Sequence, residues 1–135
     1  MFKPEGILPA LVTPFTDDGK DVDEERLRAL VNHCIKLGVH GVVPCGTTGE
    51  FVNLTTREKK YVIETVIDEV NGRVPVVAGT GATGTKEAVE MTKYAKDAGA
   101  NAALIVTPFY LKPADRGIYE HYSTIASKVD LPIIL

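Results

Sequence analysis

The stretch Val42-Val43-Pro44-Cys45-Gly46-Thr47-Thr48-Gly49-Glu50 ends a short apolar run in two glycines that bracket two threonines. The valines read as a buried strand, and the glycines allow the tight backbone needed where a strand gives way to a loop. Two hydroxyls and several backbone N–H groups thereby stand at the strand's exit. Such donor-rich, uncharged chemistry suits a small carboxylate or phosphate.

The same strand–loop–helix theme repeats on either side. Upstream, Ile7-Leu8-Pro9-Ala10-Leu11-Val12-Thr13 reads as a first buried strand closed by Pro14. A polar loop with an Asp18-Gly19 turn signal follows, and Asp23-Glu24-Glu25-Arg26 opens a helix with acids where the macrodipole favours them. Its predicted stripe is Leu27, Leu30, Val31, Cys34, Ile35 and Leu37, capped by Gly38. Downstream, Thr55 or Thr56 caps a second helix, with Glu58 in capping-box position behind Thr55. Tyr61, Val62, Val66, Ile67 and Val70 carry that helix to Asn71-Gly72.

Val74-Pro75-Val76-Val77-Ala78 is the third predicted strand, ending in Gly79-Thr80-Gly81-Ala82-Thr83-Gly84. Thr85-Lys86-Glu87 begins a third helix, with Ala88, Met91, Ala95 and Ala98 facing inward and Gly99 capping. Ala102-Ala103-Leu104-Ile105-Val106 is the fourth strand and exits at Thr107-Pro108-Phe109-Tyr110. A fourth helix spans Ala114 to Lys128, with Ile118, Tyr122, Ile125 and Ala126 on one face, and Leu131-Pro132-Ile133-Ile134-Leu135 is the fifth strand.

Nearly continuous apolar strands alternating with helices imply a parallel sheet in an α/β protein. Either a doubly wound sheet or part of a (β/α)8 barrel fits this pattern. The length of 135 residues favours the first, because a full barrel takes about 250. Termination inside an apolar strand, with an unpaired edge, points instead to a chain cut within a barrel.

Net charge −3 and dispersed Lys and Arg give no reason to expect nucleic acid or an anionic membrane as partner. No apolar run reaches the ~18 residues of a membrane span, and the N-terminus lacks a signal-peptide core, so a cytoplasmic location is expected. Cys34 and Cys45 read as buried free thiols. His33, His40 and His121 lack metal-ligand spacing and read as surface or helix-packing residues, so no metal is expected. Gly79 to Gly84 matches G-x-G-x-x-G formally, but it follows the third strand with no acidic partner, and no dinucleotide is expected. No lysine falls at a strand end inside the expected core: Lys112 reads as solvated, and Lys86 and Lys93 as helix-surface residues.

The four exits Thr13-Pro14-Phe15, Gly46-Thr47-Thr48-Gly49-Glu50, Gly79-Thr80-Gly81 and Thr107-Pro108-Phe109-Tyr110 should converge on one face and form a ligand site. In this order and spacing, together with Leu131 to Leu135, they resemble dihydrodipicolinate synthase and, more broadly, the N-acetylneuraminate lyase superfamily of pyruvate-dependent class I aldolases. The resemblance covers essentially the whole chain. It implies a TIM barrel, a (β/α)8 fold of which residues 1–135 form the N-terminal half, strands one to five with four helices, truncated inside the fifth strand.

The resemblance also implies chemistry. Pyruvate would form a Schiff base with a barrel lysine, become an enamine and add to aspartate semialdehyde, with no cofactor, on the route to diaminopimelate and lysine. Thr47 would be the proton-relay hydroxyl, and Thr48 with the backbone of Gly46 and Gly49 would hold the pyruvate carboxylate. Tyr110 would complete the relay in a neighbouring subunit, making the protein a homo-oligomer, a dimer or tetramer. The second relay tyrosine, the carboxylate-binding arginine and the Schiff-base lysine have no counterpart in these residues, so the chain alone is expected to be inactive. Phe51 replaces a small residue, and Thr56, Lys59 and Thr83 stand where lysine-inhibited bacterial forms carry His, His and Asn; this argues against lysine feedback. The departures leave a 2-keto-3-deoxy sugar acid aldolase or an N-acetylneuraminate lyase-like enzyme as alternatives, and a non-catalytic half-barrel homodimer as another.

Overall fold

Four of the five apolar runs that pair in the sheet contain a proline, and these prolines shape the sheet. Proline has no N–H to give a ladder but keeps its carbonyl. Those carbonyls are all used: Pro9 O accepts from Val43 N at 2.9 Å, Pro75 O from Val42 N at 3.0 Å, Pro44 O from Gly79 N at 2.9 Å and Pro132 O from Ala103 N at 2.9 Å. Strand pairing therefore continues across positions where regular ladder geometry stops.

The computed structural model describes residues 2–135. Its regular strands are β1 (Val77–Gly79), β2 (Ala102–Leu104) and β3 (Ile133–Ile134), parallel and in the order β1-β2-β3. The two predicted upstream strands are present only as single parallel bridges, Ala10 to Val43 and Val42 to Val76. All five runs still lie side by side in chain order, but all are shorter than predicted. The first is also less buried than its composition suggests: Ile7 is 67% and Val12 51% exposed, because only one side of that run is paired.

The helices are α1 (Glu24–Lys36), α2 (Thr56–Val70), α3 (Thr85–Ala98) and α4 (Asp115–Lys128), with a 3-10 turn at Phe51–Asn53. Their ends follow the sequence signals. Asp23 accepts from Arg26 N at the start of α1, and Thr55 and Glu58 form the reciprocal capping box of α2. Gly99, at φ 107°, closes α3 in the left-handed region that favours glycine. Three predicted core positions face outward instead: Leu37 caps α1 in solvent, Tyr61 is partly exposed and Ala126 is exposed. Leu37 and Ala126 fall at the margin of their stripes, where a helical period alone does not decide burial.

Which side of the sheet the helices occupy decides between the two architectures. Val42, Val76 and Ala78 share a core with Leu27 and Val31 of α1, Ile63 and Val66 of α2, and Met91 and Ala95 of α3. Ala103 and Ile105 pack with Ala88 and Val89 of α3 and Ile125 of α4. The alternate residues Val43, Val77 and Ala102 meet only Phe2, Leu8, Leu104 and Ile134, none of them helical. Helices thus cover one face alone, as right-handed crossovers require when strands are laid down in unbroken order. A doubly wound sheet, with helices on both faces, is excluded; the arrangement is a sector of a (β/α)8 barrel.

Candidate active site

Cys45 turns the chain out of its strand with φ 56°, a left-handed conformation uncommon outside glycine. The turn is held by close backbone packing. A Cβ on Gly79 would lie 2.0 Å from the Cys45 carbonyl oxygen, and one on Gly49 would lie 2.9 Å from Leu11 O. Thr13 Oγ1 donates to Gly49 O at 2.7 Å, tying the first exit to the second. On the other flank, Phe51 and Phe109 meet edge to face with centroids 5.6 Å apart, joining the second exit to the fourth. Gly81 lets the third exit pass against Val106, whose Cγ1 would lie 2.6 Å from any Cβ at that position, and Thr80 N donates to Leu104 O at 3.1 Å. The four exits therefore converge along one edge of the sheet.

Within that edge the polar groups divide into those already committed and those still open. Gly49 N bonds Gly46 O and Glu50 N bonds Thr47 O, both at 3.0 Å, closing the turn. Among the described residues, the N–H groups of Gly46, Thr47 and Thr48 donate to no protein acceptor. The side chains of Thr47 and Thr48 are exposed and Gly46 is buried. Thr13 and Thr80 have no hydroxyl to spare. Thr80 Oγ1 lies 2.8 Å from Thr92 Oγ1, which in turn donates to Ala88 O at 2.7 Å, so this pair stitches the sheet to α3.

Tyr110 stands apart from Thr47. It is 95% exposed with φ 73°, projecting away from the chain while neighbouring Phe109 is anchored in the core. Its hydroxyl has no hydrogen bond among the described residues, so within one chain Thr47 and Tyr110 share an edge but no bond. Cys45, behind the turn, is 2% exposed and its thiol is pushed up to about 12 by burial, against the opposing pull of the Lys59 charge. A thiol so held is inert as a nucleophile.

Lys59 lies beside this edge, a placement that the sequence reading does not foresee. Only 11% of its side chain is exposed; its Nζ lies 3.7 Å from Glu87 Oε1 and 5.8 Å from the centroid of the Phe51 ring. A signal is present in the sequence: 59, 62, 63, 66 and 70 fall at helical spacing, so Lys59 extends the buried stripe of α2 toward the strand exits. Lys86, by contrast, is a surface residue as expected, at 92% exposure.

The dihydrodipicolinate synthetase family model matches residues 3–135. Over 134 residues the chain is 54% identical to the 4-hydroxy-tetrahydrodipicolinate synthase of Methanopyrus kandleri, covering 99% of this chain and 45% of that protein. Over 131 residues it is 53% identical to the enzyme of the same name from Nitratidesulfovibrio vulgaris, covering 97% and 44%. Among solved structures, the dihydrodipicolinate synthase of Acinetobacter baumannii complexed with pyruvate superposes with a TM-score of 0.93 at 49% identity, over 96% of this chain and 44% of that one. CdNal of Clostridium difficile, in complex with mannosamine, gives a TM-score of 0.93 at 37% identity, over 98% and 46%. The chain thus spans about 45% of the length of the curated relatives it matches. Helices on one face, five runs in unbroken order, four converging exits and these matches agree: the chain belongs to the dihydrodipicolinate synthetase family and carries about the first half of its (β/α)8 barrel.

Proposed function

We propose that this chain supplies half of the active site of a pyruvate-dependent aldolase that condenses pyruvate with aspartate semialdehyde through a Schiff-base enamine. The observation that carries the reading is the edge formed by Gly46, Thr47 and Thr48. It offers open N–H groups and exposed hydroxyls without a fixed charge. Neutral donors can hold a carboxylate and leave the amine–carbonyl chemistry undisturbed by a competing ion. In this reading Thr48 and the N–H groups anchor the pyruvate carboxylate, Gly49 closes the turn that presents them, and Thr47 relays a proton. Tyr110, held out in solvent, reaches the relay of a second subunit, which accounts for a conformation that brings it near nothing in its own chain.

Residues 1–135 are then half of one barrel domain, and a polypeptide of these residues alone is inactive. Lys59, half-buried beside the motif, is paired with Glu87 and packed on Phe51, and is not a free nucleophile. Borohydride reduction in the presence of pyruvate tests this by trapping any imine as a covalent adduct. No adduct is expected on the 135-residue polypeptide, and one adduct per chain on a protein of the relatives' full length. An adduct on Lys59 or Lys112 overturns the assignment.

A second reading has one observation in its favour. The similarity to CdNal, whose structure holds mannosamine, keeps a sugar-acid or N-acetylneuraminate lyase-type acceptor in play. Turnover of pyruvate with aspartate semialdehyde against N-acetylmannosamine, measured on the full-length enzyme, separates the two.

A further inference from the structure

His121 is a buried titratable group that the proposed chemistry leaves unused. It lies on the inner stripe of α4, 2% exposed, with Nδ1 2.9 Å from Thr85 Oγ1. Thr85 is the first residue of α3, and Gly84 before it provides no side-chain cap. Among the described residues, this is the one hydrogen bond that crosses from α4 to α3. Tyr122 sits edge-on to the imidazole at 5.2 Å and donates its own hydroxyl to Ile105 O at 2.9 Å. Nε2 is buried and has no hydrogen-bond partner among the described residues.

A neutral imidazole fits this setting and an imidazolium does not. Neutral histidine carries one N–H, so one ring nitrogen serves Thr85 and the other needs no charge. Protonation would make Nε2 a charged donor in an apolar enclosure and would set positive charge against the positive end of α3. No nearby carboxylate offsets that. On α3, Lys86 pairs with Glu90 and Glu87 turns to Lys59; on α4, Arg116 pairs with Glu120. Burial alone holds His121 below the ordinary histidine value.

We propose that His121 is an acid-sensitive latch: as a neutral imidazole it fixes the start of α3, and with it the 79–84 exit loop, and its protonation opens the α3–α4 contact. The sign follows from proton linkage. The open form binds a proton near the ordinary value of about 6.5, and the closed form resists it. Opening is therefore independent of pH above that value, and below it rises about tenfold per pH unit until the closed form is itself protonated. The carboxylates, with ordinary values near 4, lie below this window.

Hydrogen–deuterium exchange of the protein between about pH 7.5 and 5, corrected for intrinsic rates, reads the latch directly. Protection of the first turn of α3, where Ala88 N bonds Gly84 O at 3.1 Å, should fall about tenfold per pH unit below about 6.5. His121→Gln, which keeps a polar partner for Thr85 but cannot titrate, should abolish that dependence. An unchanged dependence in His121→Gln overturns the proposal. Should the variant fail to fold, the ring proton of His121 in the native protein decides. A resonance that stays fixed while the chain remains folded supports the latch, and a folded-state midpoint at or above about 6.5 overturns it.

Discussion

Gly79 has no tolerated replacement, because its missing Cβ is the space into which the Cys45 carbonyl fits at 2.0 Å. Gly79→Ala must displace backbone rather than a flexible side chain. A loss of roughly 3 kcal/mol or more is expected, above the usual cost of overpacking, and urea denaturation measures it. Gly46, where an added Cβ meets nothing within 4 Å, should tolerate alanine with little change in stability. Thr47 carries a different prediction. Thr47→Val keeps the shape of the side chain and removes the hydroxyl, and should lower kcat by about a hundred- to ten-thousand-fold with little change in stability. Thr47→Ser should retain most of the activity, and steady-state kinetics of the full-length enzyme compares the two. Lys59 bears on regulation. Its ammonium already lies beside Glu87 at 3.7 Å, so added L-lysine should leave turnover unchanged over the millimolar range, and inhibition would contradict this.

At the level of elements, neighbouring helices are joined by a repeated device. Tyr61 of α2 donates to Glu24 of α1, and Tyr94 of α3 donates to Glu64 of α2. Arg28 adds a fork from α1 to Asp68 at 2.7 Å and Glu69 at 2.9 Å on α2, and Asn32 donates to Glu69. Three carboxylates of α1 and α2 sit below their ordinary range: Glu24 through Tyr61 and Arg28, Glu58 in the α2 cap through Thr55, and Glu69 through Arg28 and Asn32. A lowered folded-state value means that the stabilisation is full above the ordinary glutamate value of about 4.3 and is lost as pH falls from there through the lower folded-state value. Thermal denaturation should therefore show Tm level near neutrality and falling below about pH 4.3, with salt blunting the fall since these groups are exposed. Thr55→Ala removes the hydroxyl that accepts from Glu58 N, leaving only the backbone half of the capping box, and should cost about 1 kcal/mol. The caps and the box were legible in the sequence because each depends on residues within three positions of one another. The strands were legible as apolar runs but not in their extent, since in four of the five a proline interrupts the ladder beside a neighbour that is distant in sequence.

On the scale of the whole molecule, the helices' restriction to one face leaves the inner face of the sheet lined by Val43, Val77 and Ala102 under a thin cover. Val12 and Val106 remain 51% and 43% exposed. Apolar surface of this kind, beside unpaired strand edges, favours association. Light scattering on a polypeptide of these residues should therefore report species larger than a monomer, and a strictly monomeric solution at high concentration would refute the expectation. Two copies do not complete one barrel, because ten runs exceed the eight the fold closes on. Association through the exposed edges need not be a closed dimer.

The order of strands and helices, their caps, and the grouping of Thr47, Thr48 and Tyr110 at strand exits were determined by the sequence itself, because local periodicity, turn chemistry and chain order depend on neighbours within a few residues. Only the tertiary structure decided that the helices share one face. It likewise decided that Thr13 and Thr80 spend their hydroxyls on packing while Thr47 and Thr48 keep theirs, that Lys59 is half-buried and that His121 is buried, each on a stripe otherwise apolar. Those outcomes rest on partners more than ten residues away, such as Gly49 for Thr13, Thr92 for Thr80, Glu87 for Lys59 and Thr85 for His121. A polar side chain's fate is set by the group it meets, and that meeting occurs only when the sheet brings distant segments together.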